Sequence, residues 1–195
     1  YLSPLRETAD ELLEIKSYFN LSDVYLQEKA SESNVKSGVL ENADLIVFSS
    51  HALLPGEIKG VKESGIVLST PEKATSLDDG FLTPSEIIQL NLNSPTVILS
   101  ACNTAGPLQT KGETFSGLAN AFFVSGAKSV IVSQWKVESF STKTLITASI
   151  ENSRENNYSF SEGLLRTQRQ MSRGEFGREY KHPYFWSSFV SLGLN

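Results

Sequence analysis

Two side chains that could work together as a nucleophile and a base follow two apolar segments of the chain. His51 closes the segment 44–51, and Cys102 closes the segment 96–102. A thiol becomes a competent nucleophile when a neighbouring imidazole accepts its proton or stabilises its thiolate. Their spacing of 51 residues leaves room for a crossover that would return the chain to an adjacent strand. The two residues are therefore candidates for a catalytic pair.

The residue types leave a second interpretation of Cys102 open. A cysteine at the end of an apolar strand is often a small buried hydrophobic residue without any reactivity. A histidine at an equivalent strand end favours the catalytic hypothesis over the core hypothesis. Position alone does not decide between them.

Three apolar segments must position these side chains. Residues 44–51, 96–102 and 129–135 are nearly continuous runs of apolar, often β-branched residues, which is typical of strands buried on both faces. A predicted helix over 115–125, ending at Gly126, separates the second run from the third. Strand, helix and strand in this order indicate right-handed crossovers and an α/β fold with a mainly parallel sheet. Ligands of such sheets bind beyond the carboxyl ends of the strands, where His51 and Cys102 are expected.

The remaining elements are predicted from caps and periodicity. Thr8 is predicted to cap the first helix, with Glu11 completing a capping box, and Thr83-Pro84-Ser85-Glu86 is a second helix start. The predicted helices span 8–19, 31–40, 83–90, 142–150 and 161–171, and short strands are predicted at 24–27, 66–69 and 186–192. Residues 53–65 are predicted to form a loop.

Length and composition limit the class of protein. The 195 residues, 39% of them hydrophobic, suit one globular domain over 1–195. A net charge of −5 without a basic block excludes direct nucleic-acid binding, and no apolar run approaches the roughly 20 residues of a membrane span. A single cysteine and the absence of a signal-like segment favour the cytoplasm. Because the sequence opens with Tyr1, we expect it to be the C-terminal part of a longer protein.

Four segments together resemble a known family. In chain order they are VFSSHA (47–52), LSACNTA (99–105), QWKV (134–137) and HPYFWSSF (182–189). They resemble the four signature stretches of the CHAT family, over roughly residues 8–193. Members of this family are similar to caspases, separases and gingipains. In caspases the histidine lies about 50 residues upstream of the cysteine, which the 51-residue spacing of His51 and Cys102 fits. The resemblance implies a caspase-like three-layer sandwich with helices on both faces of the sheet.

The resemblance also implies an activity and its residues. Cys102 would be the nucleophile and His51 the general acid and base of a cysteine endopeptidase that cuts a protein partner, without a third catalytic residue. The backbone amides of Ala52 and Cys102 would hold the oxyanion. No cofactor and no metal are expected, because His182 before Pro183 has no second ligand nearby and is structural in the family. An upstream tetratricopeptide-repeat or sensor region is expected to regulate the domain.

Departures from the family pattern leave an alternative function open. Ala52 and Ala105 stand where glycine is usual, and Lys136-Val137-Glu138-Ser139 replaces Pro-Val-Asp-Asp. A methyl group is tolerated at ordinary backbone angles but is strained in a left-handed conformation. The alternative is a catalytically silent caspase-like module that binds or regulates a protein partner. A nucleotide-binding α/β domain is disfavoured, because no glycine-rich loop follows the first strand.

Candidate specificity residues follow from the same resemblance. In related peptidases, the residue two before the cysteine and those after the third strand line the substrate pocket, which points to Ser100, Trp135 and Glu138. Glu138, Asp78 and Asp79 could favour a basic substrate residue through charge-assisted contacts. The simpler alternative for these three acids is a solvated loop carboxylate.

Overall fold

The computed structural model describes residues 5, 7–57, 59, 61–75, 78–100, 117–135 and 138–194. The helices of this part of the chain are α1 (Glu7–Ser17), α2 (Glu32–Lys36), α3 (Pro84–Ile87), α4 (Gly117–Val124), α5 (Ser139–Asn156) and α6 (Phe160–Arg173). The strands are β1 (Leu45–Phe48), β2 (Ala52–Leu53), β3 (Gly65–Val67), β4 (Phe81–Leu82), β5 (Thr96–Leu99), β6 (Ser129–Ser133) and β7 (Phe189–Gly193).

The main sheet has the strand order β1-β5-β6-β7. Its strands β1, β5 and β6 come from the three apolar runs. β1 and β5 are parallel, β5 and β6 are parallel, and β7 closes the sheet antiparallel to β6. The register pairs Leu45 with Thr96 and Phe48 with Leu99. The predicted mainly parallel sheet is therefore confirmed, and the carboxyl ends of β1, β5 and β6 share one edge.

Helices cover both faces of this sheet. Alternate strand residues, Phe48, Leu99 and Val132 among them, pack with buried side chains of α3 and α4 on one face. Ile98 and Ile131 point to the other face and pack with buried side chains of α1, α5 and α6. Apolar side chains on both faces of each strand explain why the runs are continuous rather than alternating. The predicted three-layer α/β sandwich is confirmed.

A second, smaller sheet begins directly after His51. It has the antiparallel order β2-β3-β4, with Ala52 opposite Ile66 and Ile66 opposite Leu82. The strand predicted at 66–69 is thus present as β3. Leu53, the first residue of the predicted loop, is instead the last residue of β2. β4, which has only two residues, was not predicted from the sequence.

Several local predictions were wrong or too long. Residues 24–26 belong to no strand, and Leu26, which is extended, leads into a 3-10 turn, Gln27–Lys29. The helix predicted over 31–40 ends at Lys36, followed by a turn in which Gly38 has a φ of +89°. Such an angle is outside the helical region. No helix in the described part of the chain is both long enough and apolar enough to cross a membrane.

Candidate active site

The segment that carries His51 is attached to the small sheet by its backbone. The amide of Val67 in β3 donates to the carbonyl of His51 at 2.8 Å. The hydroxyl of Ser50 donates to the carbonyl of Val67. His51 itself is partly buried. These two bonds fix the course of the chain as it leaves β1 and enters β2.

The predicted nucleophile lies outside the described residues. Cys102 belongs to the segment 101–116, as does Ala105, and the described part of its run ends at Ser100. Phe48 and Leu99 are paired across adjacent parallel strands, and His51 and Cys102 each come three residues later. The chain therefore leaves β1 and β5 at neighbouring points of one sheet edge.

Ala52, one of the two predicted oxyanion donors, has an ordinary backbone conformation. It is the first residue of β2 and pairs with Ile66. Among the described residues other than glycine, positive φ angles occur at Gln27, Ser94 and Asn157 only. The methyl group that replaces the usual glycine hydrogen at position 52 is therefore not strained. The role of its amide as an oxyanion donor stays a prediction.

A buried glutamate lies against the ends of both strands. The carboxylate of Glu11 in α1 accepts a hydrogen bond from Ser49 at 2.5 Å and one from Ser100 at 2.6 Å. Glu11 is only 3% exposed. Burial raises the pKa of the Glu11 carboxyl, and the bonds from Ser100 and Ser49 and the charge of Lys143 oppose this rise without cancelling it. This carboxyl group is an acid of the site that was not predicted from the sequence.

The predicted role of Glu11 as part of a capping box was wrong. α1 begins at Glu7, so Thr8 lies inside its first turn and its hydroxyl donates to the carbonyl of Leu5 at 2.9 Å. Glu11 and Ile15, four residues apart, are the buried side chains of this helix. A charged residue one turn before a core residue, on the same helical face, was the signal that could have found it.

A small cleft lies at the carboxyl ends of the three parallel strands. Ser50, Glu11, Ser100, Ser133 and Trp135 contribute to its lining. It therefore brings together two of the predicted substrate-binding residues, Ser100 and Trp135. The indole of Trp135 donates to the carbonyl of Tyr184 at 3.2 Å, which holds the ring beside the segment before β7.

Glu138, a third predicted substrate-binding residue, is the N-cap of α5. Its carboxylate accepts hydrogen bonds from the backbone amides of Phe140 and Ser141, both at 2.9 Å. A carboxylate at this position satisfies amides that have no partner in the helix and suits the positive end of the helix dipole. α5 consequently begins at Ser139, earlier than predicted. A further role in substrate binding stays a prediction.

The two aspartates that complete the predicted set lie before β4 and are not among the residues that line the cleft. Asp78 accepts bonds from the hydroxyl and, at 3.3 Å, the amide of Ser33. Asp79 accepts a bond from the amide of Phe81 at 2.9 Å. Both carboxylates therefore hold the local chain, and their contribution to a substrate pocket stays a prediction.

His182 also has a local partner. Its Nδ1 accepts a hydrogen bond from the amide of Tyr184 at 3.2 Å and caps the 3-10 turn Pro183–Phe185. In the part of the chain that the structure describes, no three His, Cys, Asp or Glu side chains are grouped as a metal site would require.

The fold and this edge of the sheet define a class of protein. A mainly parallel sheet between two helical layers, with a histidine after one strand and the cysteine run on the next, is a caspase-like α/β sandwich. A family model described as CHAT domain matches residues 1–194, and the chain belongs to this family, which is part of the caspase-like peptidase clan. No curated protein sequence matched the chain.

Proposed function

We propose that the chain is a cysteine endopeptidase domain in which Cys102 is the nucleophile and His51 the general acid and base. The pairing of Phe48 with Leu99 in adjacent parallel strands carries this proposal. Because each candidate follows its paired residue by three positions, both belong to segments that start side by side. A dyad requires such neighbouring starting points, since the imidazole must reach the sulfur.

The chemistry assigned to the dyad proceeds in two steps. His51 accepts the thiol proton, and the thiolate attacks a peptide carbonyl, whose oxyanion is held by the amides of Ala52 and Cys102. The imidazolium then protonates the leaving amine, which leaves a thioester. Water, deprotonated by His51, hydrolyses the thioester, and the thiolate is restored. The bond from Val67 to the His51 carbonyl supports this role, because it fixes the backbone that carries the imidazole.

The proposed substrate is a protein partner, and the proposed regulator is an upstream sensor or repeat region. Membership of the CHAT family supports both parts of the proposal. The lone cysteine also favours a reducing compartment such as the cytoplasm, where the thiol stays available. Ser100 and Trp135 are the proposed pocket residues, because both line the cleft beside the strand ends.

Alkylation of Cys102 by iodoacetamide tests the dyad without a known substrate. An ordinary thiol with a pKa of about 8.5 is only about 0.3% thiolate at pH 6. A thiolate stabilised by His51 should therefore react at least about tenfold faster at pH 6 in the wild-type full chain than in His51→Ala. Since the chain has one cysteine, mass spectrometry measures this rate at a single site. Equal rates in the two proteins would refute the dyad.

Cleavage is tested separately by mapping new N-termini in a mixture of the full-length protein with proteins encoded beside it. We expect new termini with the wild type and none with Cys102→Ala, whose circular dichroism spectrum should be unchanged. Cleavage by Cys102→Ala would contradict the assignment. A fast thiol without any new termini would favour the silent, protein-binding module.

A further inference from the structure

We infer that Glu11 is a positioning residue of the dyad: its carboxylate ties together the ends of β1 and β5 and so sets the separation of the segments that carry His51 and Cys102. This inference rests on the proposed function. It assigns to α1, an element outside the main sheet, control over the geometry of the active site.

The bridge lies where the direct pairing of the two strands ends. Phe48 and Leu99 are the last paired residues of β1 and β5, and Ser49 and Ser100 follow them directly. Both hydroxyls donate to the same carboxylate, at 2.5 and 2.6 Å. The side chain of Glu11 therefore continues the connection between the two chains beyond the last backbone pair.

The helix that presents the carboxylate is anchored independently of these bonds. Ile15 is buried in the core between the sheet, α5 and α6. Glu14 forms an ion pair with Lys143 of α5 at 3.1 Å. Because both contacts anchor α1, the Glu11 carboxylate is a fixed acceptor that the two serines share.

Burial makes the bridge selective for side chains of the right shape and chemistry. Glu11 is 3% exposed and Ser100 is 5% exposed, so water cannot easily replace a missing partner. Glutamine could replace both bonds, since its oxygen accepts from one hydroxyl and its amide donates to the other. Alanine could replace neither.

A second buried side-chain bridge provides a matched control. The hydroxyls of Thr96 and Ser129 are 2.8 Å apart and connect β5 to β6 at the amino ends of these strands, opposite the candidate active site. Thr96→Val removes this bridge while the side chain keeps its size. A substitution that only loosens the sheet should affect the two ends alike, whereas a positioning role should be specific to Glu11.

The experiment measures the pH profile of Cys102 alkylation by iodoacetamide in the full chain. In Glu11→Ala we expect the profile to move toward that of His51→Ala, with a rate at pH 6 about tenfold below the wild type. Glu11→Gln should stay within about threefold of the wild type, because the bridge can re-form. Thr96→Val should react like the wild type.

The outcomes separate this inference from the proposed function. A wild-type profile equal to that of His51→Ala overturns the dyad itself. If Cys102 is activated in the wild type and a folded Glu11→Ala keeps the wild-type alkylation profile, only the positioning role is overturned. Equal losses of the alkylation rate in Glu11→Ala and Thr96→Val overturn the same role. A glutamine variant as slow as the alanine variant overturns the hydrogen-bond bridge. If Glu11→Ala does not fold, Ser49→Ala and Ser100→Ala each remove one arm, and retention of the wild-type profile by both would overturn the inference.

Discussion

The two most deeply buried carboxylates of the described chain, Glu11 and Glu32, are held in different ways. Glu32 is completely buried, and one of its oxygens accepts from the backbone amides of residues 79, 80 and 81 at 2.7, 2.6 and 3.1 Å. Its other oxygen pairs with the ammonium group of Lys36 at 2.7 Å. Glu11, in contrast, accepts from two neutral serine hydroxyls.

The kind of donor determines what each site can tolerate. A backbone amide and an ammonium group can only donate, so the Glu32 site suits a carboxylate. A hydroxyl can rotate and either donate or accept, so the Glu11 site can hold a carboxylate or a protonated carboxyl group. Glu32 secures the turn that leads into β4, whereas Glu11 lies between the strand ends at the candidate active site. Groups that can only donate therefore bind Glu32, which stabilises the turn before β4. Hydroxyls that can donate or accept bind Glu11, which lies beside the candidate active site.

The largest effect should come from Glu32→Ala. This change leaves three backbone amides and the Lys36 ammonium group without their common acceptor, and breaking such a buried charged arrangement costs about 3–5 kcal/mol. We expect this loss in the free energy of unfolding, measured by urea denaturation at pH 7. The exposed Glu28 supplies a control, since Glu28→Ala should change stability by less than about 0.5 kcal/mol. A loss no larger than that of the control would show that the amides find other partners.

A smaller loss, about 2 kcal/mol, is expected for Lys36→Met, because Lys36 is a quarter exposed and solvent weakens its ion pairs. Its ammonium group also contacts Glu86 at 2.8 Å. Burial raises the pKa of Glu86, but bonds from Lys36 and Thr83 and the Lys36 charge outweigh it and lower the pKa below 4.5. This stabilisation is present above pH 4.5 and is lost as the pH falls through the lowered folded-state value.

The pH dependence of the Lys36→Met defect provides the check. Urea titrations of the wild type and the variant should differ most near neutral pH and converge below pH 4.5, as Glu86 becomes protonated. A defect that stays constant down to pH 2 would contradict the assignment of this stabilisation to the charge pairing of Lys36 with Glu86.

Much of the architecture was predictable because it depends on long apolar segments. The runs that form β1, β5 and β6 pack on both faces, so their sequence alone indicated a buried parallel sheet. Short elements depend instead on distant partners. β4 has two residues and exists through its pairing with β3, which no local pattern encodes.

The candidate site was predictable where residue type implies reactivity. His51 could be proposed from its chemistry and its place after an apolar run. Glu11 gave an ambiguous signal: it lies one turn before Ile15 on the same helical face, but a glutamate three residues after a threonine is equally typical of a capping box. Its actual role depends on Ser49 and Ser100, which are 38 and 89 residues away in sequence. Only the folded chain brings these three residues together.

The smallest effect, opposite in sign, is expected for Glu11→Gln. Burial raises the pKa of Glu11 above 4.5 against the opposing bonds from Ser100 and Ser49 and the charge of Lys143, while the charge of Glu14 adds to the rise. The folded wild type thus holds its proton more tightly than the unfolded chain, so its stability falls as the pH rises from 4.5 through the folded-state pKa. Glutamine does not titrate and avoids this loss. The melting temperature of Glu11→Gln relative to the wild type should therefore increase from pH 4.5 to pH 8, the reverse of the trend at Glu86. A difference that does not change with pH would show that the serine hydroxyls compensate the buried charge fully, and the contrast between the two glutamates would then disappear.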